Sequence, residues 1–107
     1  MTTKQVSREA ILEAIFAAVD ELNEQLPPER QIPKNVSTAL FGNDSTLDSF
    51  TLVNLVIGSE QQLLDRLDAE VTLASEQAMS RRNSPFRTID TLADYAWELL
   101  GATADGR

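Results

Sequence analysis

Ile11, Leu12, Ile15, Phe16, Val19, Leu22 and Leu26 recur at spacings of three and four, with Glu9, Glu13, Asp20, Glu21 and Glu24 on the other face. That period predicts an amphipathic helix from about Ser7 to Leu26. Pro27 and Pro28 should stop it, because proline lacks the amide a helix needs and pushes the preceding residue out of helical geometry. From Pro27 to Leu47 the pattern breaks into two apolar islands, Ile32 with Val36 and Leu40 with Phe41, which predicts a long loop anchored to the core. A second periodic run predicts a helix from Ser49 to about Asp68, ~30 Å long at 1.5 Å per residue. Leu52, Leu55, Val56, Leu63 and Leu67 can share its core-facing stripe. Phe50, Val53 and Ile57, at i, i+3 and i+7, then fall on a neighbouring strip that either joins the core or meets a partner.

The remainder predicts a short helix around Leu73 to Arg81, an irregular turn through Arg82-Asn83-Ser84-Pro85, and a last helix. Thr91 with Asp94 has the form of a capping box, Leu92, Ala93, Ala96, Leu99 and Leu100 follow at helical spacing, and Gly101 suits a C-terminal cap. The fold class expected is all-α: a four-helix bundle with three longer helices, a short third helix and a long loop between helices 1 and 2. Residues 1–6 are expected to form a flexible N-terminus, 7–101 the folded domain, and 102–107 a frayed tail.

Composition narrows the functions open to such a bundle. The chain has 107 residues, of which 42% are hydrophobic, enough for one modest core. It contains no cysteine, which excludes disulfides and zinc–thiolate sites, and no histidine, which excludes imidazole-based catalytic triads. Seventeen acidic against nine basic residues give a net charge of −8. That balance repels nucleic-acid backbones and anionic membranes and suits a basic protein partner. Met1 to Gln5 lacks the apolar core of a signal peptide and no apolar run reaches membrane length, so a soluble, cytoplasmic and monomeric protein is expected.

Candidate chemistry is equally sparse. No phosphate-binding glycine loop or dinucleotide fingerprint is present, and the only lysines, Lys4 and Lys34, fall in segments expected to be flexible. The run from Asn43 to Asp48 lacks the ligand spacing and terminal glutamate of a calcium-binding helix–loop–helix. Asp44 and Asp48 could in principle do acid–base work, but surface carboxylates in an acidic chain are usually solvating charge. Arg81 and Arg82, with Arg87 nearby, read as a solvated basic cluster. Catalysis by this chain alone is not expected.

What remains is the mouth of the second helix, Leu47-Asp48-Ser49-Phe50-Thr51-Leu52. Asp48 and Ser49 are residue types that accept hydrogen bonds from the open amides of a first helical turn. Ser49 is expected to sit exposed at the positive end of the helix, where a phosphodiester on its hydroxyl would lie in a favourable field.

Leu47-Asp48-Ser49, the helix after it, and the later run from Phe86 to Tyr95 resemble acyl and peptidyl carrier proteins over roughly Ile11 to Leu100. The resemblance implies an acyl-carrier-like bundle in which Ser49 is esterified with 4′-phosphopantetheine, drawn from coenzyme A. The thiol of that arm would carry acyl, polyketide, peptidyl or aminoacyl groups. It further implies that Asp48, next to the attachment point, is read by the phosphopantetheinyl transferase and its magnesium. Phe50, Val53, Ile57 and Glu60 would form part of the surface for that enzyme, for an acyl- or aminoacyl-loading ligase and for downstream synthase enzymes. Gly58 would allow either close helix packing or room for a cargo chain. Phe50 stands where the family usually has Leu or Met, and Thr46 where Gly or Asn is frequent. Thr51, Asn54, Gln61 and Gln62 are neutral where many fatty-acid carriers have carboxylates, leaving Glu60 alone in that stretch. The competing expectation is an unmodified helical adaptor that binds a protein through the second helix, with Ser49 only a cap.

Overall fold

The computed structural model describes residues 7–40, 47–73 and 86–104. Three α-helices account for most of them: α1, Arg8–Asn23; α2, Ser49–Leu67; and α3, Ile89–Ala104. A 3-10 turn, Pro28–Arg30, interrupts the connection between α1 and α2. Helix α1 is the element the other two share, packing against both α2 and α3. Among the described residues the fold is all-α, with one isolated bridge between Ala39 and Thr88 as its only β pairing.

The predicted core stripes are buried. Ile11, Ile15 and Val19 of α1, Leu55 and Leu63 of α2, and Ile89, Leu92, Ala93 and Ala96 of α3 are wholly inaccessible to solvent. Burying one such aliphatic side chain is worth about 1.5–3 kcal/mol, so this shared interior dominates the stability of the three-helix arrangement. Small residues bring α1 and α2 close together: Ala14, Ala18 and Ser59 are buried, and a Cβ on Gly58 would stand 3.4 Å from the Cβ of Ala18. That is an ordinary contact distance, so the approach of α1 to α2 does not by itself require glycine at position 58.

Helix α1 ends at Asn23, three residues before the predicted Leu26, and the chain tightens into i→i−3 turns, Gln25 N–H on the Leu22 carbonyl and Leu26 N–H on that of Asn23, before Pro27. The side-chain amide of Asn23 exchanges two hydrogen bonds with the backbone of Ile32, accepting from its N–H at 2.7 Å and donating to its carbonyl at 2.9 Å. That clamp ties the end of α1 to the loop at Ile32. Helix α2 keeps its predicted start and ends at Leu67, where Asp68 takes a left-handed conformation (φ 55°) and its amide and that of Ala69 fold back onto the carbonyls of Leu64 and Leu63.

The start of α3 also differs from expectation. Thr88, not Thr91, precedes the helix. Its hydroxyl accepts from the Thr91 amide at 3.1 Å, while the Thr91 hydroxyl accepts from the Thr88 amide at 3.0 Å. This reciprocal pair is a capping box with threonine in place of the usual glutamate. Asp94, assigned to that box from sequence, instead accepts from Arg8 Nε at 2.7 Å, and Arg8 also pairs with Asp90, so these ion pairs tie the first turns of α1 and α3 together. The helix runs through Gly101 to Ala104, so Gly101 does not end it.

Of the apolar islands in the first connection, Ile32 and Leu40 are buried, as an anchoring role requires. Val36 is exposed, and it is its carbonyl that anchors, accepting from the Asp90 amide at 2.8 Å. Leu40 N–H donates to the Arg87 carbonyl at 2.7 Å, and Ile89 N–H to that of Thr38 at 3.2 Å. Phe41 and Asp44 lie outside the described residues. So does nearly all of the predicted short third helix with Arg81 and Arg82; Leu73, its expected first residue, is buried but not helical.

Candidate functional site

The mouth of α2 is organised by Asp48. Its backbone is extended (φ −84°, ψ 172°), it stands one residue outside the helix, and its Oδ1 accepts from the Thr51 amide at 2.8 Å. An aspartate three residues before the amide it caps has the geometry that best satisfies a first-turn donor, and its charge also complements the positive end of the helix. Ser49 is therefore the first helical residue and Asp48 the N-cap, a division of labour that the sequence left open.

A second group reaches Asp48 from the first connection. Arg30 Nη2 donates to Asp48 Oδ2 at 3.2 Å, with both side chains about half exposed. The Asp48 carboxyl is held below its usual range, first by the hydrogen bond from Thr51 and further by the positive charge of Arg30. It is thus fully ionised at neutral pH. Nothing in the sequence marked Arg30, which lies 18 positions before its partner.

Downstream of this mouth, α2 presents an apolar face to solvent. Phe50 is 76% exposed, Val53 50% and Ile57 47%, so these three residues are not core. Leu64, 44% exposed, continues the same face. It stands seven residues after Ile57, the spacing that already joined Phe50 to Ile57, and the signal was therefore present in the sequence. Asn54 and Gln61 are exposed as well, and no basic residue lies among them between Phe50 and Leu64. A face with four large apolar side chains on one helix is an uncommon investment for a surface that meets only water.

Glu60 stands beside this face but is turned to another task. It is half-buried, and its Oε2 accepts from the Leu73 amide at 2.6 Å, securing the segment that leaves α2. At the far end of α2, an open groove of about 290 Å³ is lined by Glu13, Phe16, Ala17, Asp20, Lys34 and Arg66. Lys34 pairs with Asp20 there at 3.2 Å, and Arg66 donates to Gln62 at 3.0 Å. None of the residues lining that groove belongs to the mouth of α2.

Among the described residues no group of three or more acidic, histidine or cysteine side chains could hold a metal ion, and no helix is long and apolar enough to cross a membrane. Compared with family models, curated proteins and solved structures, the chain matches none.

Proposed function

We propose that this protein is a carrier whose Ser49 bears a 4′-phosphopantetheine arm, and that the exposed face of α2 is where partner enzymes dock. The observation that carries the reading is the division of roles at the helix mouth. Asp48 supplies the cap through Thr51, and Ser49 follows it as the first residue of α2, next to the apolar face that begins at Phe50.

The residues present fit such a group. A helix N-terminus leaves first-turn amides that Asp48 does not satisfy, and these together with the dipole favour an anionic phosphodiester on the adjoining residue. When bound, the arm supplies a terminal thiol on which an acyl, polyketide, peptidyl or aminoacyl group is held as a thioester. The chain's own residues do the positioning. Asp48 fixes the start of α2, Arg30 ties that start to the first connection, and the buried stripe of α2 packs it against α1. Delivery is then a matter of local concentration, because a tethered group meets a docked enzyme intramolecularly.

In this reading the domain is an acyl-carrier-like bundle of four helices, with the short helix expected around Leu73 to Arg81 lying between α2 and α3 in the chain. Its partners are a phosphopantetheinyl transferase, an acyl- or aminoacyl-loading ligase and downstream synthase enzymes. The protein performs no reaction itself and works as a cytoplasmic monomer. The adaptor reading draws on the same apolar face and dispenses with the arm. Incubation with coenzyme A, magnesium and a broad-specificity transferase, followed by intact-mass measurement, separates the two: the carrier gains the mass of one arm and the adaptor gains nothing.

A further inference from the structure

Arg30 is delivered to Asp48 by a braced turn. Pro27 and Pro28 restrict the backbone on its N-terminal side, and the Arg30 amide closes the turn on the Pro27 carbonyl at 2.9 Å. Both flanks are tied together by the Asn23 amide on the Ile32 backbone, with Gln31 Nε2 donating to the Asn23 carbonyl at 3.2 Å. The result is that both oxygens of the Asp48 carboxylate are engaged within the chain, Oδ1 by the Thr51 amide and Oδ2 by the Arg30 guanidinium.

The two engagements differ in kind. The bond to Thr51 belongs to the helix and persists in any complex that leaves α2 folded. The bond to Arg30 joins two half-exposed side chains from different elements, and such pairs are held weakly. An enzyme that acts on Ser49 comes up against Asp48, the residue before it, and the outer oxygen is the one it can reach. A partner that brings a positive group to that oxygen competes there with Arg30.

We propose that Arg30 tunes recognition of the Ser49 mouth by the enzyme that modifies it: it partly masks the outer oxygen of Asp48, so that a partner using that oxygen competes with an exposed ion pair. This rests on the carrier reading and deepens it, since the mask sets how readily an enzyme reads the mouth of α2. The mask depends on charge, so lysine at position 30 retains most of it and glutamine removes it.

The test compares the wild type with Arg30→Gln and Arg30→Lys, using coenzyme A and one transferase, with loading followed by intact mass and the Asp48 carboxyl followed by NMR titration. Arg30→Gln should raise kcat/KM for loading by about two- to fivefold, the span set by the weakness of an exposed ion pair. Arg30→Lys should stay close to wild type, and high salt should narrow the difference between Arg30→Gln and the wild type. The Asp48 carboxyl should titrate at higher pH in Arg30→Gln. Equal or slower loading of Arg30→Gln, or an unchanged Asp48 titration, overturns the mask while leaving the carrier reading in place. Failure of every variant, wild type included, to gain the arm overturns both.

Discussion

At Asp48 and Ser49, adjacent residues of similar capping ability take different roles. The aspartate stands outside the helix and satisfies Thr51, so replacing it removes a capping bond and a charge at the positive helix end. Asp48→Ala should lower the melting temperature by about 3–8 °C, a span that reflects a lost cap in a domain of this size. Ser49→Ala should lower it less, because the capping bond belongs to Asp48. Thermal melts of the two variants check this, and a larger loss from Ser49→Ala would return the cap to Ser49. The pH dependence of the Asp48 contribution has a definite sign. Its folded-state pKa is depressed, so the contribution is fully present above the unfolded carboxylate range, around pH 4, and is lost as pH falls through the lower folded value.

Helix α2 carries two apolar stripes, and their separation was legible from spacing. The inward set led by Leu55, Val56 and Leu63 is buried, and Phe50, Val53 and Ile57 are exposed. A stripe of period 3.6 identifies which residues share a face, but two adjoining stripes do not reveal which one finds a neighbour. Only the position of α1 decides that. Element ends were less legible, because they depend on side chains that reach across the fold. Asn23 ties the end of α1 to Ile32, and Thr88 starts α3 through Thr91, where Asp94 had the better sequence signature but is drawn off by Arg8. Arg30 at Asp48 was invisible for the same reason.

The docking role of α2 can be tested directly on this face. An exposed ion pair contributes about 0–1 kcal/mol, whereas burying an aliphatic side chain contributes about 1.5–3 kcal/mol. Glu60, moreover, is engaged by the Leu73 amide. Val53→Asp or Ile57→Asp should therefore reduce loading by the cognate enzyme at least tenfold, with circular dichroism unchanged. Glu60→Gln, which keeps an oxygen able to accept from Leu73, should reduce it less than twofold. Steady-state loading rates for the three variants decide the matter, and a larger defect from Glu60→Gln would assign docking to charge.

For the molecule as a whole, charge is the prevailing feature. Eight excess negative charges on 107 residues repel one another in the compact state. The described ion pairs, Arg8 with Asp90 and Asp94, Arg30 with Asp48 and Lys34 with Asp20, are all at least a third exposed and offset little of this. Raising sodium chloride from low to moderate concentration should raise the melting temperature, since salt screens repulsion over roughly 8–10 Å. A steady fall over that range would show that the ion pairs outweigh the net charge. The all-α class could be read from periodicity alone. The central place of α1, packed against both other helices, could not, because amphipathic period gives each helix a face and not a partner.

The central claim is that Ser49 is the point of covalent attachment. Wild type and Ser49→Ala should be incubated side by side with coenzyme A, magnesium and a broad-specificity phosphopantetheinyl transferase, and their intact masses compared, with the modified residue located by peptide fragmentation. The wild type should gain one arm, mapped to Ser49, and Ser49→Ala should gain none. An unmodified wild type, or a Ser49→Ala variant that still gains the arm, would contradict the account.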